Sequence, residues 1–225
     1  FTEKHAHLQP DLIVLRHTLE HIANPHEFLR QLAALLKSPT QIYIEVPAFE
    51  WILAKKAFWD VFYEHCNYFT QQSLTSMFTN AQSGLLFGDQ YMYVLADLQQ
   101  LETAARTTLT PRLQQLGLLQ DELQRYRSFV QQHAGLLVWG AGAKGSTFVN
   151  LTDPDAVHIK ALVDINARKA GAYVAGTGHP IIAPELITQT GAREILVMNE
   201  NYRDEIGKQL AEMNLANIKL YTLGM

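Results

Sequence analysis

Three stretches of this sequence hold residue types at spacings that do chemistry. The first is Gly140-Ala141-Gly142-Ala143-Lys144-Gly145, a G-x-G-x-x-G run between the apolar segment Leu136 to Trp139 and a helical segment from Ser146 to about Leu151. Glycines at Gly140, Gly142 and Gly145 permit a tight turn and let a ligand's phosphates approach a helix N-terminus, where free N–H groups and the dipole favour negative charge. Lys144 either neutralises a diphosphate there or stands at the surface. A strand from Ile159 to Val163 ends at Asp164, about twenty residues on, where dinucleotide enzymes hold a ribose hydroxyl. The second stretch, Gly176-Thr177-Gly178-His179-Pro180, is either a turn or a phosphate or sugar contact made through His179. The third group is histidine, whose ordinary pKa of about 6.5 suits proton transfer near neutral pH. His17 and His21 follow an apolar run and share one face if their segment is helical. His65 stands beside Tyr63 and Glu64 in an aromatic stretch. His5, His7, His17 and His21 match no standard zinc spacing, so no metal site is assigned; His5 and His7 read as solvated.

The elements that must position these groups follow from periodicity. Asp11 to Leu15 has strand length and composition, and from Pro25 the positions Phe28, Leu29, Leu32, Leu35 and Leu36 trace one face of a helix that Lys37-Ser38-Pro39 stops. Gln41 to Val46 is a second strand, closed by Pro47. Strand, helix and strand with short connections predict a parallel βαβ unit buried on both faces, with ligands beyond the strands' carboxyl ends. Phe58 to Thr70 follows no single period. Thr70 caps a helix from Gln71 to about Asn80, and Leu85 to Leu95, with its Gly88-Asp89 turn, reads as a hairpin or edge strands.

Leu98 to Ala105 reads as helical, and Thr110-Pro111 interrupts it. Leu113, Leu116, Leu119, Leu123, Tyr126 and Val130 then mark an amphipathic helix ending near His133, a packed connector with too few heptads for a coiled-coil seam. Beyond the glycine loop, Glu194 to Met198 and Ile218 to Thr222 complete a small parallel sheet. The fold class is therefore α/β: a partial sheet over 1–97, a helical connector over 98–134 and a Rossmann-like domain over 135–225.

Composition bounds the partners. The 225 residues carry a net charge of −4, 48% hydrophobic and 18% charged residues, which supports a packed core and gives no electrostatic reason for nucleic-acid or membrane-surface binding. The single Cys66 excludes an intrachain disulfide and fits a cytoplasmic setting. No apolar run approaches the roughly 20 residues of a spanning helix. Opening at Phe1 and reaching a strand pattern almost at once, the chain reads like part of something longer.

The motifs, in their order, resemble a known family. D-L-I-V (Asp11 to Val14), L-E-H-I (Leu19 to Ile22) and a Pro-started helix are similar to the fourth strand and following helix of class I S-adenosylmethionine-dependent methyltransferases. E-V-P (Glu45 to Pro47), the run containing Phe62-Tyr63-Glu64-His65, and the separate V-W-G-A-G-A-K-G, V-D-I-N and G-T-G-H-P segments resemble the sugar C-methyltransferases, from about Pro10 to Met198. That resemblance implies methylation of a carbon in a nucleotide-linked deoxysugar, typically C3 of a dTDP-linked 4-keto sugar. It also implies an N-terminal zinc domain, a methyltransferase domain and a Rossmann-like domain. The zinc domain, the first three strands and the donor's glycine loop have no counterpart here. The expectation is a C-terminal part of a cytoplasmic enzyme, with zinc confined to the missing domain, a nucleotide-linked sugar as partner, and a monomer favoured.

The resemblance also assigns roles. Methyl transfer to carbon needs a carbanion equivalent made by removing a proton next to a ketone, and the family's base matches His65. Three residues earlier the family has tyrosine, whereas this sequence has Phe62 with Tyr63 beside it, so either Tyr63 substitutes or His65 acts alone. His21 matches the histidine that serves the enolate oxygen, His17 stands where the family often has asparagine, and Glu64 binds a sugar hydroxyl or orients His65. In the Rossmann-like unit the resemblance suggests packing and nucleotide-sugar contacts through Gly140, Gly142, Lys144, Gly145, Asp164 and His179. Two readings stay open beside this one. In the first, an NAD(P)- or nucleotide-binding domain has no methyl-transfer activity. In the second, the histidines only pack or cap.

Overall fold

The computed structural model describes residues 3–102 and 113–224. Contacts divide the chain into two compact units, the first made of 1–55 and 63–114, the second of 56–62 and 115–225.

In the first unit, β1 (Leu12–Arg16) leads through a 3-10 turn (Leu19–His21) to α1 (Pro25–Ala34) and β2 (Gln41–Pro47). Helix α2 (Phe49–Ala54), α3 (Gln71–Thr75), β3 (Ala81–Leu86) and β4 (Tyr91–Asp97) follow. The sheet order is β1-β2-β4-β3, with β1 and β2 parallel and β4 antiparallel to both neighbours. The hairpin turns at Phe87, Gly88 and Asp89, all with positive φ. Its second strand is interior, because alternate Met92, Val94 and Ala96 bury against the core that holds Ile42, Ile44 and Val46.

Burial on both faces holds for β2 but not for β1. The latter lies at the sheet edge, with Leu12 and Val14 about half exposed at 49% and 52%. Helix α3 is shorter than the expected Gln71–Asn80. A capping box of Thr70 and Ser73 starts it, but Thr75 turns its hydroxyl back to the Gln71 and Gln72 carbonyls. Phe78 then joins an isolated bridge to Leu101. The helix expected over Leu98–Ala105 is instead one 3-10 turn, Leu98–Gln100, capped by the Asp97 carboxylate. Leu101 is extended in its bridge to Phe78. The rest of that expectation, with the Thr110-Pro111 interruption, lies outside the described residues.

The second unit begins with α4 (Leu113–Gln132), then β5 (Leu136–Trp139), α5 (Ala143–Thr152), β6 (Ile159–Val163), β7 (Ile181–Ile182), α6 (Ile187–Thr190), β8 (Glu194–Val197), α7 (Arg203–Glu212) and β9 (Lys219–Thr222). All five strands are parallel, in the order β7-β6-β5-β8-β9. The central β5 is buried throughout, as a strand covered on both faces must be. The apolar stripe of α4 is buried at Tyr126 and Val130 but not at Leu116, which is 40% exposed.

The short segment 56–62 belongs to this second unit through its aromatic rings. Phe58 and Trp59 lie 5.9 and 5.6 Å from the Tyr126 ring, and Phe58 stacks on Phe148 at 6.0 Å. No described helix is long and apolar enough to cross a membrane.

Candidate active site

The carboxyl ends of β1 and β2 place a polar network. Arg16 grips Glu45 with two hydrogen bonds, of 3.1 and 2.9 Å, and the Tyr43 hydroxyl donates to the same carboxylate at 3.0 Å. Hydrogen bonding from Arg16 holds the Glu45 carboxyl below its ordinary range, against the opposing effect of burial. The chain leaves β1 at His17 with φ of 47°, a left-handed conformation that costs a non-glycine residue energy. Its N–H donates to the Glu45 carbonyl at 2.9 Å. The His17 ring lies between two carboxylates, with Nε2 3.3 Å from Glu45 Oε1 and Nδ1 3.7 Å from Glu20 Oε1.

The 3-10 turn Leu19–His21 is stapled to the loop carrying His65. The N–H groups of Cys66 and Asn67 both donate to the Glu20 carbonyl, at 3.0 and 3.1 Å. The Asn67 amide donates to the Ile22 carbonyl at 2.6 Å. Those bonds bring the His21 and His65 rings to 4.8 Å between centroids, edge to face at 80°. His21 Nδ1 donates to the Glu64 carbonyl at 3.0 Å, since a carbonyl only accepts. In the neutral ring that leaves Nε2 with its lone pair. Burial, and then the neighbouring His21, lower the His65 pKa, which favours the neutral form of its ring.

Other expected members take different places. Tyr63 is 98% exposed, while the tyrosine ring found beside His65 is that of Tyr68, at 6.0 Å. Phe62 falls in the second unit. Glu64 is exposed and contributes its backbone carbonyl to His21. Sequence reasoning missed Glu20, Glu45 and Tyr68 as members of this cluster. Glu45 was visible only as part of E-V-P, and its place at the carboxyl end of a parallel strand was the signal.

In the second unit the glycine loop is tight for a steric reason. A Cβ on Gly145 would lie 1.8 Å from the Gly140 carbonyl oxygen, and Gly140 has φ of 119°. Asp164 accepts from the N–H of Ala141 and Asn166 and from Lys169 Nζ, at 3.0, 2.9 and 2.9 Å. Burial alone would raise its carboxyl, but these donors outweigh it and hold the pKa down. The carboxylate expected at a ribose is thus engaged within its own loop. Lys144 Nζ pairs with Asp60 at 2.9 Å. His179 is 1% exposed, bonded to Thr177 through Nδ1 and to Asp153 through Nε2. That buried pairing ties His179 into the folding of the G-T-G-H-P loop. Gly176 is required there because a Cβ would lie 2.2 Å from the Asn150 side-chain oxygen.

No curated protein matches the chain. Residues 2–83 match the family described as a methyltransferase domain, and residues 112–222 match the C-methyltransferase C-terminal domain. The chain thus matches, in order, a methyltransferase domain and a C-methyltransferase C-terminal domain, as the resemblance of its motifs to the C-methyltransferases implies.

Proposed function

We propose that this chain is part of an enzyme that moves a methyl group from S-adenosylmethionine to a carbon of a nucleotide-linked keto sugar, with His65 removing the proton next to the ketone. S-adenosylmethionine supplies an electrophilic methyl group. The residues described here do not fit the donor's nucleoside: the only glycines before residue 103 are Gly84 and Gly88, both in the β3–β4 hairpin region, so no glycine loop follows a parallel strand of the first unit. The chemistry assigned to this chain is therefore the acceptor's proton transfer alone.

The observation that carries the reading is the half-buried His65 held against His21 beyond the end of β1, its pKa lowered by burial. A positioned base of this kind contributes roughly 10²–10⁴-fold. His21 donates to a developing enolate oxygen only when its ring carries both protons, because the Glu64 carbonyl takes the Nδ1 proton of the neutral form. Glu45 orients His17 at the rim.

Hydrogen–deuterium exchange tests the proton step without the donor. A dTDP-linked 4-keto sugar in D₂O should exchange its acidic C–H faster with the chain present, and His65→Ala should remove that acceleration. Equal exchange with His65 and with Ala at that position sinks the proposal.

A further inference from the structure

The carboxylate of Glu20 is 1% exposed, and neither of its oxygens has a hydrogen-bond partner. Leaving such a group bare costs free energy unless a cation or donor meets it. Three imidazoles stand next to it: His17, with Nδ1 3.7 Å from Glu20 Oε1, and His21 and His65. One ligating atom each from Glu20, His21 and His65 lie within 4.8 Å of one another. Donors about 2.1 Å from a shared tetrahedral ion sit about 3.4 Å apart, so a small side-chain rotation converges the three.

The surroundings are those of a ligand set. His21 Nδ1 donates to the Glu64 carbonyl at 3.0 Å, the outer bond that fixes the tautomer of metal-bound histidines and leaves the other nitrogen to coordinate. The bonds from Cys66 and Asn67 to the Glu20 carbonyl hold the loop that carries His65. Two imidazoles and one carboxylate suit a borderline divalent ion of the zinc class, not calcium or magnesium, which prefer all-oxygen shells.

We propose that Glu20, His21 and His65 form a site for a divalent transition-metal ion such as Zn(II), and that the ion takes the His65 lone pair needed for proton abstraction. The second half rests on the reading of His65 as base. Metal binding and base action are then exclusive states of one imidazole, and the ion acts as an inhibitor.

The test uses the whole chain, stripped with a chelator and desalted, then titrated with Zn(II) against a chromophoric zinc chelator. One zinc per chain should bind. Glu20→Gln and His21→Ala should each weaken binding at least about tenfold, in the range seen when metal-site partners are lost, while far-UV circular dichroism stays native. His21 is exposed, so its variant keeps the test open if Glu20→Gln fails to fold. The double variant His5→Ala/His7→Ala should leave the affinity unchanged. Absence of zinc binding, or equal affinity in both single variants and the parent, overturns the site, as does loss of binding in the His5/His7 control. Zinc should also stop the exchange of the keto sugar, and chelator should restore it. Zinc that binds without slowing exchange overturns the exclusivity. If zinc binds and the chain accelerates no exchange, the site stands and the base assignment falls with the exclusivity built on it.

Discussion

Lys144 meets both carboxylate oxygens of Asp60, with Nζ 2.9 Å from Oδ1 and 3.0 Å from Oδ2. The two residues are far apart in sequence, and Asp60 is only 7% exposed. Burial pushes the Asp60 carboxyl up even with the cation in place. Removing the cation alone leaves a buried, unanswered carboxylate. Lys144→Met should therefore lower stability by about 2–3 kcal/mol. The double variant Lys144→Met/Asp60→Leu should recover most of that loss. Urea denaturation of the four proteins checks it, and simple additivity of the two single effects would show that the pair is uncoupled.

Glu20 makes the opposite case within the first unit. Its buried oxygens have no hydrogen-bond partner, so Glu20→Met, similar in size and uncharged, should raise stability by about 1–3 kcal/mol. Thermal unfolding of the metal-free protein reads this. A lowered midpoint would mean that the carboxylate is satisfied in solution.

Acid should loosen the second unit through Asp153. Burial acts to raise this carboxyl, but hydrogen bonds from Ile159, His179, Val157 and His158 outweigh it, and the net pKa is lowered. Those donors, three backbone N–H groups and the His179 ring, are the partners the structure shows around it. A depressed carboxyl adds stability above its unfolded pKa, near 4, and that stability is lost as pH falls through the folded value. The denaturation midpoint followed by Trp139 fluorescence should drop below about pH 4. Asp153→Asn should flatten that slope and cost about 1–3 kcal/mol at pH 7. A slope unchanged in Asp153→Asn would assign the acid sensitivity elsewhere.

Gly145→Ala should be far more damaging than an ordinary surface change. The added methyl would lie 1.8 Å from the Gly140 carbonyl, so backbone must move and the loop must open. A loss of about 3 kcal/mol or more, the range of severe core strain, is expected by calorimetry. A variant as stable as the parent would show that the turn has room to relax.

What the sequence made legible divides along physical lines. The second unit was readable because its strands are continuous apolar runs and its turns carry glycine. Leu136 to Trp139, Gly140 to Gly145 and Ile159 to Val163 each encode one local geometry. His21 and His65 could be named as a set only through family resemblance, since their approach depends on two backbone N–H groups reaching the Glu20 carbonyl from a loop far along the chain. Glu20 itself was visible only as the acidic residue of L-E-H-I. Its burial is set by packing around a 3-10 turn, and no periodicity records that. The partners of Lys144 and Asp164 were not legible either: a charged side chain beside a glycine loop does not say that Asp60 or Lys169 pairs with it. The helix expected at Leu98 failed because Asp97 caps a single turn and Leu101 pairs instead with Phe78.

The seven residues from Lys56 to Phe62 give the polypeptide an interleaved path: it visits the second unit early, goes back, and returns for good after Gln114. Cutting the backbone anywhere between 103 and 112 would not yield one fragment per unit. The N-terminal piece would carry Phe58 and Trp59 away, and the C-terminal piece would show water the faces of Tyr126 and Phe148 on which they rest. Each half made alone should be poorly soluble, and co-expression should rescue both as a non-covalent pair. Independent solubility of the C-terminal half would mean that its missing aromatic wedge is dispensable.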